Sequence, residues 1–202
     1  MENQWYWKDQ ITLPNLITTL RLLAIPWMAG EIYESGGSSK LSAILFLAIW
    51  LTDVLDGWIA RTFNQVSSLG KIYDPIVDKA FQITTAVMMT VVCKVPLWVP
   101  FVIVFKDLFI LLGGLVLLKK NIVVSAKWYG KVTTVLIAVA FATVFFLPQD
   151  KAYLSSYIFN PVGISVILTL LLYARDVWVL YKSGALKAQP SSQSKDVWNG
   201  TN

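Results

Sequence analysis

The sequence predicts an all-α integral membrane protein with six transmembrane helices. Three observations carry this: 56% of its 202 residues are AVILMFWYC and only 14% are charged, mean hydropathy is +0.60, and apolar runs long enough to cross a bilayer recur along the chain. An average soluble domain has about 45–50% apolar and about 25% charged residues. A chain so poor in charge cannot cover a folded surface in water, which excludes a secreted, disordered or nucleic-acid-wrapping protein. A single cysteine, Cys93, and the absence of histidine exclude an internal disulfide, a Cys-based zinc cage, imidazole ligands and His-containing triads. Chemistry on this chain must run on carboxylates, Lys, Arg and hydroxyls.

Residues 1–12 read as an interfacial segment, because MENQWYWKDQ has three aromatics but neither the basic start nor the small-residue cleavage site of a signal peptide. Spans are expected at 13–33, 41–61, 70–93, 97–118, 131–148 and 157–180, each close to the about 20 residues that cross about 30 Å of hydrocarbon. They place one six-helix domain at 13–182. Two runs are charge-free at useful length, 132–149 and 152–174, whereas the other spans contain or abut Asp, Lys or Arg. The polar stretch 183–202 is expected to be a disordered tail. Orientation follows from basic residues: with both termini cytoplasmic, thirteen of the seventeen Lys and Arg lie inside, three (Lys40, Lys94, Lys151) lie outside, and Lys106 lies within a span. The segment 53–78 and the 119–131 loop then face the cytoplasm, where nucleotides and phosphorylated metabolites are found.

Four of the twelve acids fall between residues 53 and 78. On one helix Asp53, Asp56, Gly57, Ala60 and Arg61 share a face, and on the next Gly70, Asp74 and Asp78 do the same. Two antiparallel helices joined by a short turn would point the four carboxylates at one another, a costly arrangement in low dielectric unless it is neutralised. With no His or Cys nearby, hard divalent cations such as Mg²⁺ or Mn²⁺ are the expected neutralisers. A carboxylate-held metal pair at a cytoplasmic face suits phosphate chemistry: it can clamp a diphosphate and polarise the phosphorus under attack. Gly57, Ala60 and Gly70 leave room for an extended ligand, and Arg61 can bind phosphate bidentately. The bland alternative has the acids paired with Arg61, Lys71 and Lys79 and the small residues serving helix packing. Four acids in two helically phased pairs favour the site.

The string Asp53-x2-Asp56-Gly57-x2-Ala60-Arg61-x8-Gly70-x3-Asp74-x3-Asp78 resembles the signature of the CDP-alcohol phosphotransferases at all eight fixed positions. The resemblance extends to the run from Pro14 to Arg21 and to Gly130-Lys131, and covers most of residues 11–180. It implies a six-helix transmembrane catalytic domain, a polar active-site cavity at the cytoplasmic interface, a homodimer, and CDP-diacylglycerol as substrate with its acyl chains in the membrane. It further implies that Asp53, Asp56, Asp74 and Asp78 bind two Mg²⁺ or Mn²⁺ ions and that Asp78 is also the general base. Gly57, Ala60, Arg61, Ser67 and Gly70 match cytidine diphosphate contacts, and Asn15 and Thr18 match a first-span segment near the diphosphate. From the residues alone, Ser67 could equally be a turn residue, and Asn15 or Thr18 a helix N-cap after Pro14.

The acceptor must be read outside the shared motif. Lys106, beside Asp107 in mid-span, is costly at that depth unless it meets a polar cavity or a partner, and Lys127, Lys131 and Arg175 are the other basic candidates. Such a set suits an anionic acceptor. The Asp74-Pro75-x2-Asp78-Lys79 and Gly130-Lys131 runs resemble those of phosphatidylglycerophosphate synthases, whose acceptor is sn-glycerol 3-phosphate, although those enzymes usually carry Arg at the position of Lys106 and Lys at that of Val132. Cardiolipin synthases, which use phosphatidylglycerol, share the basic-acidic pair followed by a Gly-containing run and are the alternative. A rival of another class is a non-catalytic divalent-cation carrier, but the acids gather at one interface and no repeat is visible.

Overall fold

A computed structural model describes residues 13–62, 70–118 and 128–182. The expected interfacial segment, the tail, Ser67 and Lys127 lie outside these residues. Among the described residues six helices appear in order: α1 (Leu13–Ser35), α2 (Lys40–Thr62), α3 (Gly70–Val91), α4 (Trp98–Leu118), α5 (Trp128–Phe145) and α6 (Ser155–Lys182), with a 3-10 turn at Gln149–Leu154 before the last. No strand occurs among the described residues. Three stretches, Trp98–Leu115, Trp128–Phe145 and Gln149–Val179, are long and apolar enough to cross a membrane. Helices α1 to α3 carry most of the helical charges, yet large apolar side chains such as Leu23, Ile44 and Ile76 stand exposed on them as others do on α4 to α6. The fifth helix begins three residues before the expected span and ends earlier, because the chain tightens into the 3-10 turn after Pro148.

Local chemistry sets the helix ends. Gly36 and Gly37 take positive φ of 62° and 68°, and the Gly37 N–H donates to Ile32 O at 2.8 Å, closing α1. Ser39 caps α2 by accepting from the Leu41 N–H at 2.9 Å. Past α3, Cys93 adopts φ 58° and the Lys94 N–H returns to Met89 O at 2.9 Å.

The helices close into a ring in which α1 packs on α2 and α3, α2 on α5, α5 on α6, α6 on α4, and α4 on α3. Each inward face is a stripe at three- and four-residue spacing, such as Ile25, Met28 and Ile32 on α1 and Phe159, Val162, Val166, Thr169 and Tyr173 on α6. Aromatic rings fill the centre: Phe46 lies 5.3 Å from Phe81 and 5.1 Å from Phe145, and Phe141 lies 5.1 Å from Phe159. Between α4 and α6, Gly113 seats Tyr173, since a Cβ at Gly113 would come within 2.7 Å of the ring. The glycine run after Lys106-Asp107 therefore has a packing role. Hydroxyls join α5 to α6, with Thr133 and Thr169 Oγ1 atoms 2.8 Å apart.

At the end of the ring away from the motif, Lys94 is fully buried. Its Nζ donates to Gly37 O at 2.9 Å, Val144 O at 3.3 Å and Leu147 O at 2.7 Å. Burial pushes the Lys94 ammonium below the ordinary lysine range, while three carbonyl acceptors favour its charged form. The expected outer-loop lysine is thus a tie between three segments.

Candidate active site

The motif acids lie at the end of the ring that holds the start of α1, the end of α2 and the start of α3. Asp74 and Asp78 are one turn apart on α3 and Asp53 faces them from α2, so the antiparallel pairing expected from the sequence is present. Between them stands a side chain from a third helix. Arg21 Nη1 donates to Asp53 Oδ1 at 2.6 Å and to Asp78 Oδ1 at 2.9 Å. Thr18 Oγ1 donates to Asp74 Oδ1 at 2.7 Å and accepts from Arg21 Nη2 at 3.4 Å. Three carboxylates and a guanidinium thereby form one network held by α1, α2 and α3.

Arg21 is 4% exposed and Thr18 is fully buried, whereas the Asp53 and Asp78 side chains are 35% and 41% exposed. The cation is the buried scaffold and the acids are the reachable groups. Arg21 was not among the expected site residues, although its signal is present in the sequence. Thr18 and Arg21 extend the buried Ile25, Met28, Ile32 stripe of α1 at the same spacing, and a charge on such a stripe needs a buried partner.

The groups of this network that could ligate a cation are carboxylate and hydroxyl oxygens, a set that fits a hard divalent ion. Among the described residues no group of three acids is arranged to hold a metal ion, and the Arg21 guanidinium supplies part of the neutralisation expected of one. Asp56 lies on α2 between Asp53 and Gly57, with its side chain outside the described set, as are those of Ala60 and Arg61. Gly70 opens α3 and is buried. Asn15 sits inside the first turn of α1, which begins at Leu13, and so is not an N-cap; its carbonyl accepts from Thr19 Oγ1 at 2.8 Å.

A cavity of about 270 Å³ opens beside Asp53 and Asp78. Phe46 and Trp50 of α2, Pro75, Lys79 and Gln82 of α3, and Thr134, Ile137 and Ala138 of α5 contribute to its wall. Charged and amide groups therefore meet one part of it and aromatic or aliphatic surface the rest, a pattern common in ligand sites.

The basic residues expected at an acceptor pocket divide. Lys106 lies on the inward stripe of α4 and is 2% exposed; its Nζ pairs with Asp107 Oδ1 at 3.0 Å. Asp107 Oδ2 in turn pairs with Lys79 Nζ at 2.8 Å, and it is Lys79 that reaches the cavity wall. Lys131 is exposed on the first turn of α5, one turn before Thr134 on the cavity-facing stripe. Arg175 is exposed on α6, off the stripe ending in Tyr173, and the structure does not bring it to the cavity. The neighbouring Asp176 accepts from Tyr129 Oη at 3.1 Å.

The chain is 33% identical over 136 residues to an Aquifex aeolicus protein named CDP-diacylglycerol--glycerol-3-phosphate 3-phosphatidyltransferase, a match covering 66% of this chain and 75% of the relative. It is 29% identical over 140 residues to a Mycobacterium tuberculosis probable phosphatidylglycerophosphate synthase, covering 67% of this chain and 66% of the relative. It is 34% identical over 105 residues to a Streptomyces coelicolor cardiolipin synthase (CMP-forming), covering 50% of this chain and 49% of the relative. The CDP-alcohol phosphatidyltransferase family matches residues 11–178, a stretch that contains all six helices nearly to the end of α6 together with the Arg21-linked acids, and the chain belongs to that family.

Proposed function

We propose that this protein transfers the phosphatidyl group of CDP-diacylglycerol to sn-glycerol 3-phosphate, forming phosphatidylglycerophosphate and CMP in phospholipid biosynthesis. The observation that carries the reading is the convergence of Asp53, Asp74 and Asp78 beside a cavity whose wall also presents Lys79. The names of the Aquifex and mycobacterial relatives support the same acceptor.

Family members generally depend on a divalent metal. Asp53, Asp56, Asp74 and Asp78 are the residues that would hold a Mg²⁺ or Mn²⁺ pair, whose chemistry when bound is to neutralise the diphosphate and polarise its phosphorus. Asp78 is the proposed base. It takes the acceptor's hydroxyl proton, the freed oxygen forms a bond to the phosphorus bearing the lipid, and the bond from that phosphorus to the bridging oxygen breaks as CMP leaves. Arg21 keeps Asp53 and Asp78 facing each other, and Thr18 holds Asp74. Asn15, Thr18, Gly57, Ala60, Arg61, Ser67 and Gly70 are the proposed CDP-diacylglycerol contacts, and Lys106 and Arg175 are left out of direct acceptor contact. We place the protein in a bacterial plasma membrane as a homodimer with six spans, both termini and the site cytoplasmic.

A second reading, cardiolipin synthesis from phosphatidylglycerol, is favoured by the Streptomyces relative. CMP release by purified protein with CDP-diacylglycerol and Mg²⁺ tests both, with each acceptor supplied separately and the lipid product identified by mass spectrometry. Release with glycerol 3-phosphate supports the first reading, release with phosphatidylglycerol alone replaces it with the second, and release with neither removes both.

A further inference from the structure

We infer that Lys79 is a specificity-determining residue that binds the phosphate of the acceptor, with Asp107 and Lys106 as the positioning pair behind it. The inference rests on the proposed use of a phosphorylated acceptor and names the group that recognises it.

Lys79 follows Asp78 directly on α3, and both line the cavity together with Gln82 one turn on. The Lys79 side chain is 43% exposed, while Asp107 and Lys106 behind it are 15% and 3% exposed. A lysine ammonium has three donors, and the Asp107 carboxylate holds Lys79 as an ion pair at 2.8 Å. Asp107 is shared with Lys106 at 3.0 Å, so two cations stand against one anion and the triad carries one net positive charge. Lys106 is buried, which leaves Lys79 as the member that can deliver that charge to a ligand. Without Lys106, Asp107 would neutralise Lys79 and this part of the cavity wall would lose its positive charge. The exposed member thus stands beside the proposed base, where the hydroxyl end and the phosphate end of one small acceptor can be held together. A neutral polyol gains only a hydrogen bond from one charged partner here, whereas a phosphomonoester gains the stronger bond between two opposite charges.

Equilibrium binding of radiolabelled glycerol 3-phosphate to the full-length protein in detergent, with Mg²⁺ and CMP present, reads the inference separately from turnover. Lys79→Gln should weaken binding by about tenfold or more, Lys79→Arg should recover most of it, and Lys106→Met should weaken it by a smaller factor. In turnover, Lys79→Gln should raise the KM for glycerol 3-phosphate while the KM for CDP-diacylglycerol stays within about twofold. Absence of wild-type binding, unchanged binding in Lys79→Gln, or equal rises in both KM values would overturn the assignment. Wild-type binding that is lost in Lys79→Gln, without phosphatidylglycerophosphate formation, would sustain the phosphate site and overturn the proposed reaction instead.

Discussion

Two buried cations stand at opposite ends of the helix ring, and their partners give them opposite meanings. Arg21 faces two carboxylates that are themselves about two-fifths open to the cavity. Lys94 faces three backbone carbonyls and pairs with no acid among the described residues. Neutral carbonyls leave the charge of Lys94 in place and gain helix-end capping from it, so that end is a fastener. Carboxylates oppose one another and exceed the charge of Arg21, so the other end retains negative charge with room for cationic and phosphorylated ligands. Burial of a basic residue is shared by both; the charge state and exposure of its partners separate a site from a joint.

The sharpest break of this contrast is at the acids. Asp78→Asn should lower CMP release by about 10²–10⁴-fold, the range supplied by a general base, while the variant still elutes as folded protein; activity near wild type would remove Asp78 from the base role. Arg21→Met should destabilise the metal-free protein by about 3 kcal/mol, because its charge-assisted hydrogen bonds to Asp53 and Asp78 are lost. Millimolar Mg²⁺ should restore much of that thermal stability if the acids can hold a cation, and a loss indifferent to Mg²⁺ would argue against the metal assignment.

Lys94→Met sharpens the comparison from the other end. Loss of hydrogen bonds from a charged donor should cost about 3 kcal/mol, seen as a lower melting temperature, with kcat/KM per folded molecule unchanged within about twofold. A selective loss of activity would make the distant joint part of the mechanism. Gly37→Ala should act in the same direction by about 1–2 kcal/mol, the left-handed backbone cost, since Gly37 has φ +68° and a Cβ there would meet Met89 Sδ at 2.9 Å. The smallest effect is expected for Thr18→Val, about 1 kcal/mol from one lost hydrogen bond to Asp74, read as a several-fold fall in Mg²⁺ affinity measured from activity.

Most of the helical layout was legible because each helix must present an apolar surface for about twenty residues. The antiparallel placement of Asp53 against Asp74 and Asp78 followed from three- and four-residue spacing across a short turn. Arg21 is legible as part of the Pro14 to Arg21 run, but in the sequence it is one more cytoplasmic charge, since its burial depends on where α1 lies against α2 and α3. Lys94 was likewise read as an outer-loop charge. Its three acceptors come from residues 37, 144 and 147, which no local pattern joins. Lys106 was rightly marked as needing a partner, yet the partner arrangement passes its influence through Asp107 to Lys79 on another helix.

Composition and periodicity by themselves determined an all-helical, lipid-compatible chain, because those properties are repeated locally in every turn of helix, and the one Asp53 to Asp78 string carried the resemblance to a family. Only the tertiary structure decided which cation neutralises which acid, which lysine reaches the cavity and which one ties the far end. Those outcomes depend on distances between residues some fifty positions apart, from Arg21 to Asp78 and from Lys94 to Gly37, and such distances exist only once the ring has closed.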